Sequence, residues 1–507
     1  MLNSVGQFPL TVILIGTTAA YLLLLVPYWQ FGYDSAIYIG LAQSLASGEG
    51  YVYMGFPHTK YPPGLPLLLA PIEFLFGHNY LLMRLLMTVC AVGSIGLTWF
   101  LIRPMSSSRV ALAVCVMTAS SYALVREVPG ILSDVPYMLA SLAALVVAEQ
   151  YTRDPSKRAL AWAVVLILVA TSFRLIGVTL AMAMFIGILL HSGELAPTRR
   201  ARDAAVLVLL MGLAAGLWVG RNATVTEQLP SELREALSYQ DELNSVDPND
   251  ANSNTLDLST FGLRLEKNIS YYERLLVDLI TARSVENQVL VHLIAFFWLS
   301  GWIFALFRQR SIIEYYTFLY FCVYLAWPAF QGERFLVPIL PMIFYYALQV
   351  PLMLLRWITR LPVTSNARVS ESTLLTLITF SFFLVNLPSL IEIVLTERQS
   401  PYYRGGQGEY LAALNWLRDE SPEDSLIITD LAPIAYLISE RKSLSAPLFG
   451  NEREVFESII RNGGTHVITN NWGFGRHYIN PVIESHPDRF EPIKLVGSNI
   501  IYRVKAD

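Results

Sequence analysis

Residues 10–38 read LTVILIGTTAAYLLLLVPYWQFGYDSAIY. As far as Trp29 the run is apolar, about the 20 residues that one helical crossing of a bilayer requires. Asp34 is the first charged residue in the chain. No Lys or Arg precedes the run and no small-residue cleavage site follows it, so it reads as a retained anchor, not a signal peptide. An acid immediately beyond an apolar span is the pattern from which the reading proceeds.

The composition extends that pattern to the whole chain. Of 507 residues, 54% are apolar and 15% charged, where soluble domains carry roughly a quarter charged. Mean hydropathy is +0.46. The net charge of -4 and a pI near 6.0 provide no polycationic surface, which excludes nucleic acid as a partner. Cys90, Cys115 and Cys322 all fall inside apolar runs, so they read as packing residues and not as a disulfide or zinc framework.

Further apolar stretches lie at 79–102, 110–125, 135–151, 159–172, 175–190, 204–220, 287–307, 312–329, 335–355 and 372–395. The expected fold is therefore a polytopic α-helical membrane protein with about 11 transmembrane helices, the 159–190 pair being short enough for one broken unit. Residues 62–76 are apolar but too short to cross, and they read as an interfacial helix. Alternating the sides gathers Arg103, Arg109, Arg153, Lys157, Arg158, Arg199, Arg200, Arg202, Arg308, Arg310, Arg356, Arg360 and Arg368 on one face. The positive-inside rule makes that face cytoplasmic. Loops 30–78, 126–134, 221–286 and 330–334 then face outward, in an inner (plasma) membrane location.

Residues 397–507 are a different material, more charged and alternating between the two periods. Helical pattern at 410–418 and 452–461 and strand pattern at 425–430, 465–469 and 500–504 predict a small extracytoplasmic α/β domain. The expected division is 1–396 for the membrane module and 397–507 for this domain. The outer loop 221–286, which contains the polar run 249–254 and no strong pattern, reads as a mobile lid or an acceptor contact. The sequons at Asn222 and Asn268 read as chance matches.

Charge at membrane depth is costly, so what remains at the outer mouth needs a reason. Asp34 opens a helix-patterned segment, where a carboxylate suits an N-cap. His58 and Lys60 precede Tyr61-Pro-Pro-Gly64, where a helix N-terminus and a basic side chain could converge on a phosphate. Ser133-Asp134-Val-Pro136 repeats the capping pattern. Arg174 interrupts the 159–190 pair, and Glu333-Arg334 opens a late span. Two acids and three cations on one face suit an anionic lipid headgroup and an acid–base reaction.

In this order and sidedness, Tyr33-Asp34-Ser-Ala-Ile-Tyr38, Lys60-Tyr-Pro-Pro-Gly64, Ser133-Asp134-Val-Pro136 and Glu333-Arg334-Phe-Leu-Val-Pro338 resemble the GT-C superfamily of integral-membrane glycosyltransferases. The likeness is to the bacterial protein O-mannosyltransferase and lipid A aminoarabinose transferase group. It implies a GT-C-like catalytic module that moves a sugar, with inversion, from a polyprenyl-phosphate carrier to a lipid, glycan or protein acceptor on the extracytoplasmic face. It also implies Asp34 as the base or acceptor organiser, Lys60 and Arg334 as donor-phosphate contacts, and Asp134 as a second acid for substrate or metal. Two departures stand out: Tyr61 separates Lys60 from the prolines, and Ser35 stands where several relatives carry a second acid.

The expected chemistry places Lys60, Arg334 and Arg174 on the leaving phosphate and Asp34 on the acceptor's proton. His58, Tyr61 and Glu333 are further candidate substrate or metal contacts. A divalent cation is compatible with this set, but the sequence does not require one. The rival readings are a lipid-linked sugar flippase or transporter, and a non-catalytic membrane scaffold presenting the α/β domain.

Overall fold

With no water at membrane depth, a chain this apolar must satisfy its backbone within each segment. The computed structural model does so almost entirely with helices. It describes residues 7–191, 196–226, 243, 246, 255–282, 284–358, 370–403, 405–446, 451–470 and 475–505. Of the 221–286 loop read as a lid or acceptor contact, the polar run 249–254 lies outside the described residues, whereas Leu258–Thr281 is helix and not a patternless loop.

After α1 (Gln7–Leu22) come α2 (Tyr33–Ala46), a hairpin of β1 (Val52–Tyr53) and β2 (Phe56–Pro57), and α3 (Gly64–Phe76). The main bundle follows as α4 (Tyr80–Ile102), α5 (Ser108–Ser120), the short α6 (Tyr122–Glu127), α7 (Asp134–Arg153), α8 (Lys157–Phe173) and α9 (Val178–His191). It continues with α10 (Pro197–Thr226), α11 (Leu258–Thr281), α12 (Gln288–Arg308), α13 (Ile312–Ala326), α14 (Leu340–Ile358) and α15 (Glu371–Glu397). A helix thus occupies every apolar stretch read from the sequence. Tyr80–Ile102, Pro197–Thr226, Gln288–Arg308, Gly332–Ile358 and Glu371–Glu397 are long and apolar enough to cross a membrane, by length and composition. At 13 residues, α3 is about 20 Å long, short of a hydrocarbon core of about 30 Å.

Local chemistry sets the helix starts. Asn79, Ser107, Ser156, Asn287 and Ser370 each accept an N–H from the first turn of the helix that follows, and Ser311 with Glu314 forms a reciprocal capping box. The capping reading fails for the two acids. Asp34 is already inside α2, behind an N-cap at Gly32, and Asp134 is inside α7 behind Ser133; neither carboxylate bonds to the first turn. Both are free to face elsewhere.

The end of the bundle next to α2 is tied together by a pair not singled out from the sequence. Arg84, fully buried on α4, donates to the Leu24 carbonyl at 3.1 Å and to the Glu397 carboxylate at 2.6 Å. The Tyr28 hydroxyl donates to the Glu397 carbonyl at 2.8 Å. The end of α15 therefore anchors the segment that leads into Asp34.

The chain then forms α16 (Gly405–Glu420), β3 (Leu426–Thr429), α17 (Ala432–Ser439), β4 (Lys442–Ser445), α18 (Glu452–Arg461), β5 (His466–Ile468), α19 (Asn480–Ser485), β6 (Phe490–Val496) and β7 (Asn499–Val504). The sheet order is β4-β3-β5-β7-β6, with β3 parallel to β4 and β5, and β7 antiparallel to β5 and β6. The three expected strands are present. β4 was missed because Lys442, Ser443 and Ser445 leave it no apolar alternation. β6 was missed because Pro492 breaks the pattern where the register shifts between Pro492 and Lys494.

One layer of this α/β unit packs on α2, and residues of both share one apolar core. The Tyr436 ring meets Tyr53 at 5.3 Å. A Cβ on Gly40 of α2 would lie 2.7 Å from the Tyr53 ring and 3.7 Å from Tyr436. Glycine costs a helix interior about 1 kcal/mol, so its place here is one of close approach. Gly40→Val is expected to destabilise the protein by about 1–3 kcal/mol through overpacking, measurable as a lowered midpoint of thermal aggregation in detergent. An unchanged midpoint would refute the close-packing account.

Candidate functional site

Four segments far apart in sequence bring their charged side chains together at the start of α2. Asp34 takes the Tyr61 hydroxyl on Oδ1 at 2.9 Å and the Arg334 Nη1 on Oδ2 at 2.6 Å. Arg334 also donates through Nε to Asp134 Oδ2 at 2.7 Å. Arg174 donates to the other Asp134 oxygen and reaches the Tyr324 hydroxyl at 3.4 Å. The result is a continuous relay, Tyr61–Asp34–Arg334–Asp134–Arg174–Tyr324.

The relay is graded in depth. The Asp134 side chain is fully buried, whereas Arg334 and Asp34 retain 14% and 21% of their side-chain surface. Asp34 and Arg334 thus form the accessible rim, and Asp134 is the foundation. Burial by itself would raise the Asp34 carboxyl. Contact with Arg334, the Tyr61 hydroxyl and the field of Lys60 outweigh it and hold the group below the usual carboxylate range. Lys60 is thereby placed within electrostatic reach of Asp34, so the structure brings together Asp34, Lys60, Asp134, Arg174 and Arg334.

The backbone arranges this in specific ways. Arg174 ends α8 in an extended conformation, so the 159–190 pair is broken at the residue whose side chain enters the site. Arg334 lies in a 3-10 turn, Gly332–Ile339, before α14. The Tyr324 ring stacks on Phe335 at 4.3 Å, and the Arg174 guanidinium lies over Phe335 at 5.4 Å. Asn268 of α11 holds the end of α13 by donating to the carbonyls of Leu325 and Trp327 at 2.8 and 2.7 Å. That amide is buried and engaged, which accounts for one sequon.

His58 requires a correction. Read as a substrate or metal contact, it is fully buried, and its Nε2 accepts the Tyr61 backbone N–H at 3.0 Å. Its ring stacks on Tyr61 with centroids 5.4 Å apart. Burial, with Lys60 and Arg221 adding to it, pushes the imidazole down to about 3, so it is neutral at working pH. His58 supports Tyr61, and Tyr61 supports Asp34. Glu333 faces Arg126 across 3.7 Å at the rim.

Sequence reasoning missed Arg221, at the end of α10. Its Nη1 donates to the His58 carbonyl at 2.6 Å, and the neighbouring Asn222 amide donates to the Thr59 carbonyl at 2.9 Å. These contacts fix the backbone immediately before Lys60 and engage the second sequon. Beside them opens an apolar cavity of about 1160 Å³, lined among others by Pro62, Pro63, Ser172, Phe185 and Trp218, with Thr59 and Asn222 also on its wall. No periodicity announces it, because it forms between α8, α9, α10 and the segment 59–63 that precedes α3.

Among the described residues no group of three or more His, Cys, Asp or Glu side chains is placed to hold a metal ion. Both Asp134 oxygens face guanidinium groups, a surrounding that opposes a cation. The residues present do not fit a carboxylate-held metal at Asp134.

Residues 60–218 match the family model described as dolichyl-phosphate-mannose-protein mannosyltransferase. A search of curated proteins by sequence finds no match. Among solved structures the chain is similar to ArnT from Cupriavidus metallidurans bound to undecaprenyl phosphate, with 11% identity, a TM-score of 0.61 and 98% of each chain covered. The apo form of that protein matches equally, at 10% identity and a TM-score of 0.61 over 98% of each chain. The Archaeoglobus fulgidus oligosaccharyltransferase, tethered to an acceptor peptide containing the NVT sequon, matches at 11% identity and a TM-score of 0.54, over 98% of this chain and 74% of that one. At these identities the likeness is one of fold. It bears out the GT-C resemblance read from the order of the motifs.

Proposed function

We propose that this integral membrane protein of GT-C fold is an inverting glycosyltransferase, taking its sugar from a polyprenyl monophosphate on the extracytoplasmic face. The observation that carries the reading is the half-buried Asp34–Arg334 rim beside Lys60, next to an apolar cavity. A polyprenyl chain occupies that cavity, and its phosphate lies toward Lys60 and Arg334. Similarity to a protein solved with undecaprenyl phosphate supports this choice of carrier. About 11 crossings with the site and the 397–507 unit outward, in a plasma membrane, belong to the same reading.

The charges suit the reaction. As the glycosidic bond to phosphate breaks, negative charge grows on the leaving oxygen, and Lys60, Arg334 and Arg174 stabilise it. Arg334 cannot serve the phosphate fully while it holds Asp34. An arriving phosphate therefore draws Arg334 away and releases an Asp34 oxygen toward the acceptor, whose proton it takes. Asp134 acts through the arginines it positions. Its role is therefore positioning and not metal binding.

The test is transfer by the purified protein in lipid nanodiscs, with labelled undecaprenyl-phosphate sugars offered alongside lipid A, a serine-containing peptide and an undecaprenyl-linked glycan. Lys60→Ala is expected to weaken donor use by on the order of 10- to 100-fold, as loss of a charged hydrogen bond of about 1.5–3 kcal/mol implies. A flippase or a scaffold predicts no transfer in the wild type, and that result would end the proposal.

A further inference from the structure

Every acid at the mouth of the site except one already faces an arginine: Asp34 meets Arg334, Asp134 meets Arg174 and Arg334, and Glu333 meets Arg126. The exception is Glu127, the last residue of α6. That helix packs against the Gly332–Ile339 turn carrying Arg334, and also contacts α5, α7 and α15. The Arg126–Glu333 contact of 3.7 Å pins the same turn of chain. Glu127 is half-buried, and among the described residues no hydrogen bond or ion pair engages its carboxylate. A half-buried carboxylate without an ion-pair partner is costly to keep ionised, and such a group calls for an explanation.

We infer that Glu127 is a second acceptor-facing carboxylate of this site, which in its ionised form accepts a hydrogen bond from a hydroxyl of the acceptor. The inference rests on the transfer reading above and adds a residue that reading does not use. The neighbours define the side on which Glu127 works. Arg334 and Asp134 reach it electrostatically from the relay, and Arg126 and Glu333 from the rim. α15 presents the neutral Asn386, whose amide oxygen accepts the Tyr122 N–H at 3.0 Å, and α5 ends in the hydroxyls of Thr118 and Ser120. Of the three cations assigned to the phosphate, Arg334 and Arg174 lie on the relay and Lys60 acts on its Asp34 end, so Glu127 is left on the flank where an acceptor hydroxyl, not an anion, is welcome.

Burial pushes the Glu127 carboxyl up to about 7; Asp134 and Glu333 add to the rise, while Arg334 and Arg126 oppose it. The ionised form is therefore lost just below neutrality, and acceptor binding goes with it. In the nanodisc assay, the wild-type KM for the acceptor is expected to rise about tenfold per pH unit below 7, with the donor KM unaffected. Glu127→Gln is expected to hold the acceptor KM high and independent of pH, again without moving the donor KM. Glu127→Asp should restore part of the slope. A packing role would lower yield and stability without removing a titration from one substrate alone.

The inference is overturned if Glu127→Gln keeps the wild-type slope, or if donor and acceptor KM shift together. An infrared titration of the protein alone gives a second readout. The protonated-carboxyl absorption that grows in below neutral pH in the wild type should lose one component in Glu127→Gln. Should wild-type protein react with none of the three acceptors, the transfer reading fails on its own account. In that case an unchanged carboxyl band in Glu127→Gln would still overturn the assignment.

Discussion

Asp34→Asn is expected to reduce transfer by about 10²–10⁴-fold, the usual contribution of a positioned proton acceptor, and at the same time to tighten binding of undecaprenyl phosphate. The second half follows from the 2.6 Å contact between Asp34 and Arg334. In the wild type an arriving phosphate competes with the Asp34 carboxylate for that guanidinium. Asparagine preserves the shape but removes the competing charge. Asp34 and Asp134 set against Lys60, Arg174 and Arg334 leave one positive charge, which matches a singly charged phosphodiester; the variant leaves two. Even at an effective dielectric of about 20, a unit charge a few ångströms away is worth a few kcal/mol before screening, so a gain of about tenfold in affinity is a modest expectation. Isothermal titration with undecaprenyl phosphate reads the affinity, and the labelled-sugar assay reads the rate. Full activity would remove Asp34 from the reaction. Weaker lipid binding would show that Asp34 helps to hold the phosphate, contrary to the exchange argued here. Because its folded-state pKa is depressed, Asp34 contributes stability above the ordinary carboxylate range, and that contribution is lost as pH falls through the lower folded value.

What the sequence disclosed, and what it concealed, follows from the range of the interactions. The helices were legible because each is decided locally, by an apolar run and by a cap such as Asn79 or Ser370 within a few residues. The relay residues were legible because charge is scarce at the outer mouth, which made Asp34, Lys60, Asp134, Arg174 and Arg334 conspicuous. Their chemistry was less so. Both aspartates fit an N-cap by pattern, and only the backbone reveals that neither caps. His58 read as a substrate or metal contact, but its burial goes with contacts to Tyr61 and to Arg221, which is 163 positions away. Arg84 and Glu397 pair across 313 positions. Nothing in a local window distinguishes them from snorkelling residues at span ends. Glu127 was passed over for the same reason: only the packing of α6 against the Gly332–Ile339 turn brings it beside Arg334.

Asp134→Ala has the largest expected effect on the fold. Its carboxylate is fully buried and takes Arg174 on one oxygen and Arg334 on the other. Alanine leaves the Arg174 guanidinium without a carboxylate in a largely buried site and leaves Arg334 with Asp34 alone. Removing one partner of a buried ion pair typically costs about 3–5 kcal/mol, because the remaining charge stays desolvated. Here Arg174 loses its carboxylate while Arg334 keeps Asp34, so a loss within that range is expected, read as a lower midpoint in a thermal-shift measurement by size exclusion. Asp134→Asn keeps a hydrogen-bond acceptor and should lie between wild type and alanine. The positioning role has a sharper signature than instability alone. If Asp134 serves to aim the arginines, Asp134→Ala combined with Arg174→Met should recover part of the lost stability, since an apolar side chain removes the orphaned charge, yet transfer should stay low because Arg334 has lost its support. Recovery of both stability and transfer in the double variant would mean that the relay is scaffolding. Recovery of neither would place the cost in packing around α7 and not in charge.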